Sequence, residues 1–231
     1  MEHGLSIAYR FSFDNGETKE FSVLLDSETL HMAPPPVPRP PVWTALDSHR
    51  CPCCRFDRTT TLCCPIALNM AQVVEEFKEY LSYDEAEVTV TTAERSYVKR
   101  TCLQLGLSPL LGIIMVSSGC PSMEKLKPMV RFHLPFASLE ETIFRAISMY
   151  LVSLYYRQRR GEAVNWSLQG MDAIYREVGV VNKAFAERLR EAAKKDANVN
   201  ALVNLHCLGE MVPPAAEEML DQLQGHFAAL V

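Results

Sequence analysis

Five of the chain's eight cysteines fall between positions 51 and 64, as Cys51, Cys53, Cys54, Cys63 and Cys64. Any fold must accommodate these thiols within one short stretch, which constrains the chain more than any other sequence feature. With 231 residues it can bury a core without covalent staples, so disulfides are not needed for size. The opening segment MEHGLSIAYRF has no basic run followed by an apolar stretch and a small-residue cleavage site, so the cytoplasm is the expected location. In a reducing compartment, closely spaced thiols point to metal or thiol chemistry and away from disulfides.

A tetrahedral thiolate site needs soft ligands at about 2.3 Å from zinc, and a Cys-x-x-Cys loop supplies two of them at small entropic cost. Cys51-Pro52-Cys53-Cys54 is such a loop, and Cys63-Cys64 follows across the polar segment RFDRTTTL, which can turn back. Adjacent side chains diverge, so one cysteine of each neighbouring pair stands aside. Cys64-Pro65 and Cys120-Pro121 each precede a predicted helix, with proline as the first helical residue. There the free N–H groups and the helix dipole favour a thiolate. The expected ligands are Cys51, Cys54, Cys64 and Cys120, with Cys53, Cys63, His49 and His133 as substitutes. Because Cys120 lies far along the chain, the ion would be a clasp between distant regions and not a free-standing finger.

Four thiolates suit zinc, the expected cofactor, with an iron–sulfur cluster as the alternative. The Cys-Pro element matches the last ligand of bacterial ferredoxin runs, but the full C-x2-C-x2-C-x3-C-P spacing is absent. A four-thiolate zinc is closed and structural, whereas a cluster carries electrons or senses oxidants; vicinal thiols also suit oxidation or copper(I) capture. Cys102 and Cys207 are expected as small buried hydrophobes, and His133 as a hydrogen-bonded core residue ahead of a ligand.

Hydrophobic residues make up 48% of the chain and charged residues 22%, the balance of a folded globular protein. A formal net charge of -5 argues against a phosphate-binding surface, so no nucleic-acid partner is expected. The most apolar run, Leu103 to Ser118, is shorter than the roughly 20 residues of a spanning helix and is interrupted by Gly106, Pro109 and Gly112. It reads as core, and no membrane association is expected.

Leu5 to Phe13 alternates apolar and polar residues, Asp14-Asn15-Gly16 supplies a positive-φ turn, and Lys19 to Leu25 resumes the alternation, which predicts a β-hairpin. His31 to Val42 (HMAPPPVPRPPV) favours polyproline II and reads as a stiff connector, with a proline-recognition ligand as the lesser reading. Pro65 to Tyr83 has helical spacing, and Glu87 to Thr91 reads as a strand. Helices dominate from about Thr101: Pro121 to Phe132, then Ser138 to Arg160 with a Ser138–Glu141 capping box, then Leu168 to Lys195 and Ala197 to Met211. Pro213-Pro214 should separate a last short helix over Ala215 to Leu230. The RQRR run at the end of the 138–160 helix reads as a solvated helix end and not as an anion patch.

The expected class is α+β, a small N-terminal antiparallel β region followed by a mainly helical bundle. The expected divisions are a hairpin region at 1–30, a proline-rich connector at 31–48, a cysteine-rich segment at 49–137 and the bundle at 138–231, with 31–231 forming one compact unit with the hairpin. No nucleotide-, protease- or esterase-type motif is present, and a Cys120–His133 nucleophile pair rests on residue types alone, so the chain reads as a non-enzymatic interaction or regulatory module. Its expected partner is another protein, and the helical surfaces also suit a homodimer.

The segments HRCPCC, CCPIALNM and SSGCPSMEKLKPMVRFHLPFASLEETIFRAISMYL resemble a bacterial family of unknown function, with the likeness extending over most of the chain. The resemblance implies a bacterial cytosolic origin and carries no activity or site residues.

Overall fold

The computed structural model describes residues 4–33, 35 and 39–230. Strands β1 (Leu5–Ser12), β2 (Thr18–Leu25), β3 (Glu85–Thr91) and β4 (Ser96–Cys102) form one antiparallel sheet in the order β2-β1-β3-β4. The β1–β2 turn closes with the Phe13 N–H donating to the Glu17 carbonyl at 2.9 Å, and Gly16 adopts φ +85° at its tip. Alternation then places Ile7, Tyr9 and Phe11 of β1 on the buried face with Val88 and Val90 of β3. Strand β4 was not expected from sequence. It is an edge strand with only Thr101 fully buried, so SYVKRTC carries little alternation.

Helices α1 (Pro65–Phe77), α2 (Leu103–Ser117), α3 (Lys127–Arg131), α4 (Leu139–Arg159), α5 (Gln169–Ala192) and α6 (Ala197–Leu223) complete the α+β fold. The apolar 103–118 run becomes α2, which sits against α1 and the sheet on one side and α6 on the other. Gly106 permits this approach: a Cβ there would stand 2.9 Å from Val88 Cγ2 and 3.3 Å from Phe11 Cε1. Helix α4 has the expected capping box, and after it Arg157 and Arg160 pair with Glu162, each at 2.8 Å, as a solvated helix end does. Among the described residues no helix is long and apolar enough to cross a membrane.

Two predicted helices differ. Residues 121–132 form a turn, a 3-10 segment (Glu124–Leu126) and the short α3, because Pro128 breaks the hydrogen-bond run. Conversely, α6 continues through Pro213 and Pro214. Buried Val212, Ala216 and Met219 hold it against α4 and α5, and Gly209 and Glu210, four residues before the prolines, border a surface pocket where water can serve the freed carbonyls. At the expected connector, residues 34 and 36–38 lie outside the described residues, as do residues 1–3 of the hairpin region. Beyond them, Met32 donates its N–H to the Ser117 carbonyl at 2.8 Å, and Val42–Thr44 forms a 3-10 turn.

The buried apolar residues fall into two clusters. One joins the sheet, α1, α2 and parts of α5 and α6; the other joins Ile143, Ala146 and Ile147 of α4 to Met171 and Tyr175 of α5 and to the distal part of α6. Leu126 packs against both.

Candidate metal centre

The cysteine segment is a long loop closed at its base. The Leu46 N–H donates to the Leu62 carbonyl and the Cys64 N–H to the Thr44 carbonyl, both at 2.8 Å, with Ala45 bridging Cys63 antiparallel. Within the loop the Cys54 N–H donates to the Cys51 carbonyl at 3.0 Å, the tight turn expected of a Cys-x-x-Cys knuckle. Cys64 caps α1 with extended backbone and Pro65 follows as its first residue, as predicted. Cys120 follows Gly119 (φ +79°), and its carbonyl accepts from the N–H groups of Met123 and Glu124 at 2.9 and 3.0 Å.

Four cysteines, Cys51, Cys53, Cys64 and Cys120, are partly buried against the main core. Burial pushes the Cys51 thiol up to about 12, and charge on Cys64, Cys53, Cys120 and Cys54 adds to the rise. Burial likewise raises Cys120 to about 11, opposed by the N–H groups of Met123 and Ser122 and reinforced by charge on Cys64 and Cys54. Cys64 is raised by burial against the pull of the Ala67 N–H, the Arg188 guanidinium and the Ile66 N–H. Thus the sulfurs of the four predicted ligands lie within electrostatic reach of one another, and Cys53 within reach of Cys51. Left to themselves, the buried thiols stay protonated at neutral pH; a divalent cation reverses that preference. Among the described residues, no group of three or more His, Cys, Asp or Glu side chains is set in coordinating positions for a metal ion.

The substitutes are otherwise engaged. Cys63 Sγ meets the Thr44 hydroxyl at 3.9 Å, His49 Nε2 lies 3.4 Å from a Glu191 carboxylate oxygen, and His133 Nε2 shares a 2.7 Å hydrogen bond with the buried Tyr9 hydroxyl. His133 is therefore the hydrogen-bonded core residue expected. Burial, with the charge of Arg145 second, pushes it down to about 3, so the ring is neutral. The two outlying cysteines differ from expectation: Cys102 is half-buried as the residue before α2, and Cys207 is exposed on α6. Helical spacing gives His206 and Cys207 neighbouring faces, and only some of a long helix's faces meet the core.

Two residues of α5, not identified from sequence, organise the centre. Arg188, 2% exposed, donates through Nη1 to the carbonyls of Trp43 and Ala45 at 2.7 and 2.6 Å, pinning the base of the cysteine loop. No carboxylate lies within 4 Å of it among the described residues, and its positive charge reaches the Cys64 thiol and favours the thiolate there. Glu177 accepts from the Ser122 hydroxyl at 2.7 Å and pairs with Lys125 and with Arg55 of the cysteine loop, so it ties the Cys120 turn to that loop. The same Ser122 hydroxyl lies 3.8 Å from Cys53 Sγ. A signal for Arg188 was present: Val181, Phe185, Arg188 and Ala192 occupy one helical stripe, so a cation stands where the period calls for an apolar residue.

No curated protein and no solved structure matches this chain. A family model described as a domain of unknown function, DUF6901, matches residues 7–228, so the chain belongs to that family.

Proposed function

We propose that the protein is a metal-binding module in which Cys51, Cys54, Cys64 and Cys120 hold a structural zinc ion, clasping the cysteine loop to the start of α1 and to the Cys120 turn. The observation that carries this reading is the neighbourhood of Arg188. A guanidinium removed from water and satisfied only by neutral carbonyls calls for a nearby anion. Zinc bound by four thiolates carries a net charge of about -2, and Cys64, within electrostatic reach of Arg188, would supply one of those thiolates. The mutual electrostatic reach of the four sulfurs and the knuckle turn at Cys51–Cys54 support the same assignment.

A closed sphere of four thiolates has no open position for substrate, so the ion serves stability and the helical surface serves interaction, with a protein partner or a second copy. A reducing, cytoplasmic setting keeps the thiols available. Elemental analysis of the chain as isolated should find zinc, and alanine substitution at any of the four cysteines should reduce its content. A metal-free native protein, or full occupancy in all four variants, overturns the assignment. A coloured, iron- and sulfide-containing protein from anaerobic purification would replace zinc by a cluster on the same thiolates.

A further inference from the structure

Between the two apolar cores lies a cavity of about 320 Å³, bounded by α2, the 123–137 segment, β4, α4, α5 and α6. Its size is at the lower end of the range for small-molecule sites, about 300–1,000 Å³, and its walls are largely apolar, including Ile113, Val116, Leu126, Val130, Val178 and Leu205. Its charged lining is one-sided. In a chain of net charge -5, no Asp or Glu faces this space, while Arg145 and Lys99 both do.

Arg145 is held for a task its own neighbours do not fulfil. Its Nη2 donates to the carbonyls of Met129 and Phe132 at 2.9 and 2.6 Å, which fixes the guanidinium plane. Among the described residues no carboxylate lies within 4 Å of it, and Nε and Nη1 make no hydrogen bond. Asn182 supplies a second, independent observation. It is 2% exposed, lines the cavity, and its Oδ1 is buried with no hydrogen-bond partner. An unpaired buried amide oxygen costs on the order of 1–3 kcal/mol, so its retention beside an apolar space calls for a donor supplied from outside.

We propose that this cavity binds a small amphipathic carboxylate, with its carboxylate on Arg145, its apolar body between the two cores, and a hydroxyl donating to Asn182 Oδ1. A guanidinium with free N–H groups matches a carboxylate bidentately, and the apolar walls reward a hydrocarbon body. Lys99, whose Nζ stands 6.0 Å over the Phe136 ring, adds positive potential at the same lining. The site is independent of the cysteines: none of them lines it.

The test is calorimetric titration of the full chain with decanoate, 3-hydroxydecanoate and decanol. Decanoate should bind at least about tenfold tighter than decanol, and 3-hydroxydecanoate tighter than decanoate. Arg145→Gln should abolish the preference for carboxylate over alcohol, Asn182→Leu should abolish the preference for the hydroxylated acid, and Ala137→Trp, which fills the space, should abolish binding of all three. No binding of either acid, or equal affinity for decanoate and decanol, overturns the proposal. So does an unchanged carboxylate preference in Arg145→Gln; if that variant does not fold, the decanoate-to-decanol ratio on the native chain decides alone. Titration of the Cys51→Ala chain separates this site from the metal centre, since loss of zinc with retained decanoate binding leaves the cavity assignment intact.

Discussion

Arg188 and Arg145 are alike in their bonding and opposite in their surroundings. Each donates to two or more backbone carbonyls and neither has a carboxylate within 4 Å among the described residues. Arg188 is fully buried against the base of the cysteine loop, with the Cys64 thiol within its electrostatic reach; Arg145 is half-buried and faces a cavity. The first is part of how the chain holds itself together. The second is held ready for something that is not part of the chain. Similar bonding to backbone carbonyls therefore does not define a role: what stands on the uncompensated side of the cation does.

The comparison breaks most directly at Arg188. Arg188→Met leaves the Trp43 and Leu46 carbonyls without a side-chain donor, leaves Ala45 with the Ser48 N–H alone, and removes the cation near Cys64, so urea denaturation should register a loss of about 3–5 kcal/mol. If the proposed zinc site is correct, a reduced metal content should accompany it. A cost below about 1 kcal/mol would place Arg188 in the same class as Arg145.

The next effect concerns His133, which stands between the sheet and Arg145. Its folded pKa, about 3, is below the ordinary value of 6.5, so the unfolded chain binds the extra proton first. This contribution to stability is intact above pH 6.5 and is lost as pH falls from there toward 3, by at most about 1.4 kcal/mol per pH unit. Denaturation curves between pH 7 and 5 should show the decline, and His133→Asn should flatten it.

Arg145→Met sharpens the contrast by costing little. The guanidinium is half-buried and water can reach its carbonyl partners, so the melting midpoint should imply a change of about 1 kcal/mol or less while carboxylate binding is lost. The smallest effect is expected at Glu177→Gln, which weakens exposed pairs with Lys125 and Arg55 but keeps a polar partner for Ser122. About 0.5–1 kcal/mol is expected by denaturation, shrinking further at high salt.

The legible parts of this molecule are those whose chemistry is local. The hairpin turn at Asp14-Asn15-Gly16, the capping box at Ser138–Glu141 and the cap-and-proline arrangement at Cys64-Pro65 each depend on a few consecutive residues, and each formed as read. Strand β4 escaped because an edge strand exposes most of its side chains and so loses the alternation that announces a strand. The uninterrupted α6 escaped because Pro213-Pro214 is a local stop signal overruled by burial of Val212 and Ala216 on either side. Arg188 and Asn182 were visible only as polar residues on an apolar stripe of α5, a pattern that reveals an anomaly and not its partner.

By itself, the sequence determined the α+β order of elements, the apolar identity of α2 and the thiol-rich loop, because periodicity, caps and turn residues act through neighbouring atoms. Only the tertiary structure decided that Cys120 comes within electrostatic reach of Cys51, Cys54 and Cys64, that Arg188 lies within reach of Cys64, and that a largely apolar cavity between two cores has Arg145 and Lys99 as its charged lining. Those juxtapositions join residues from opposite ends of the chain, where no local propensity records which will meet.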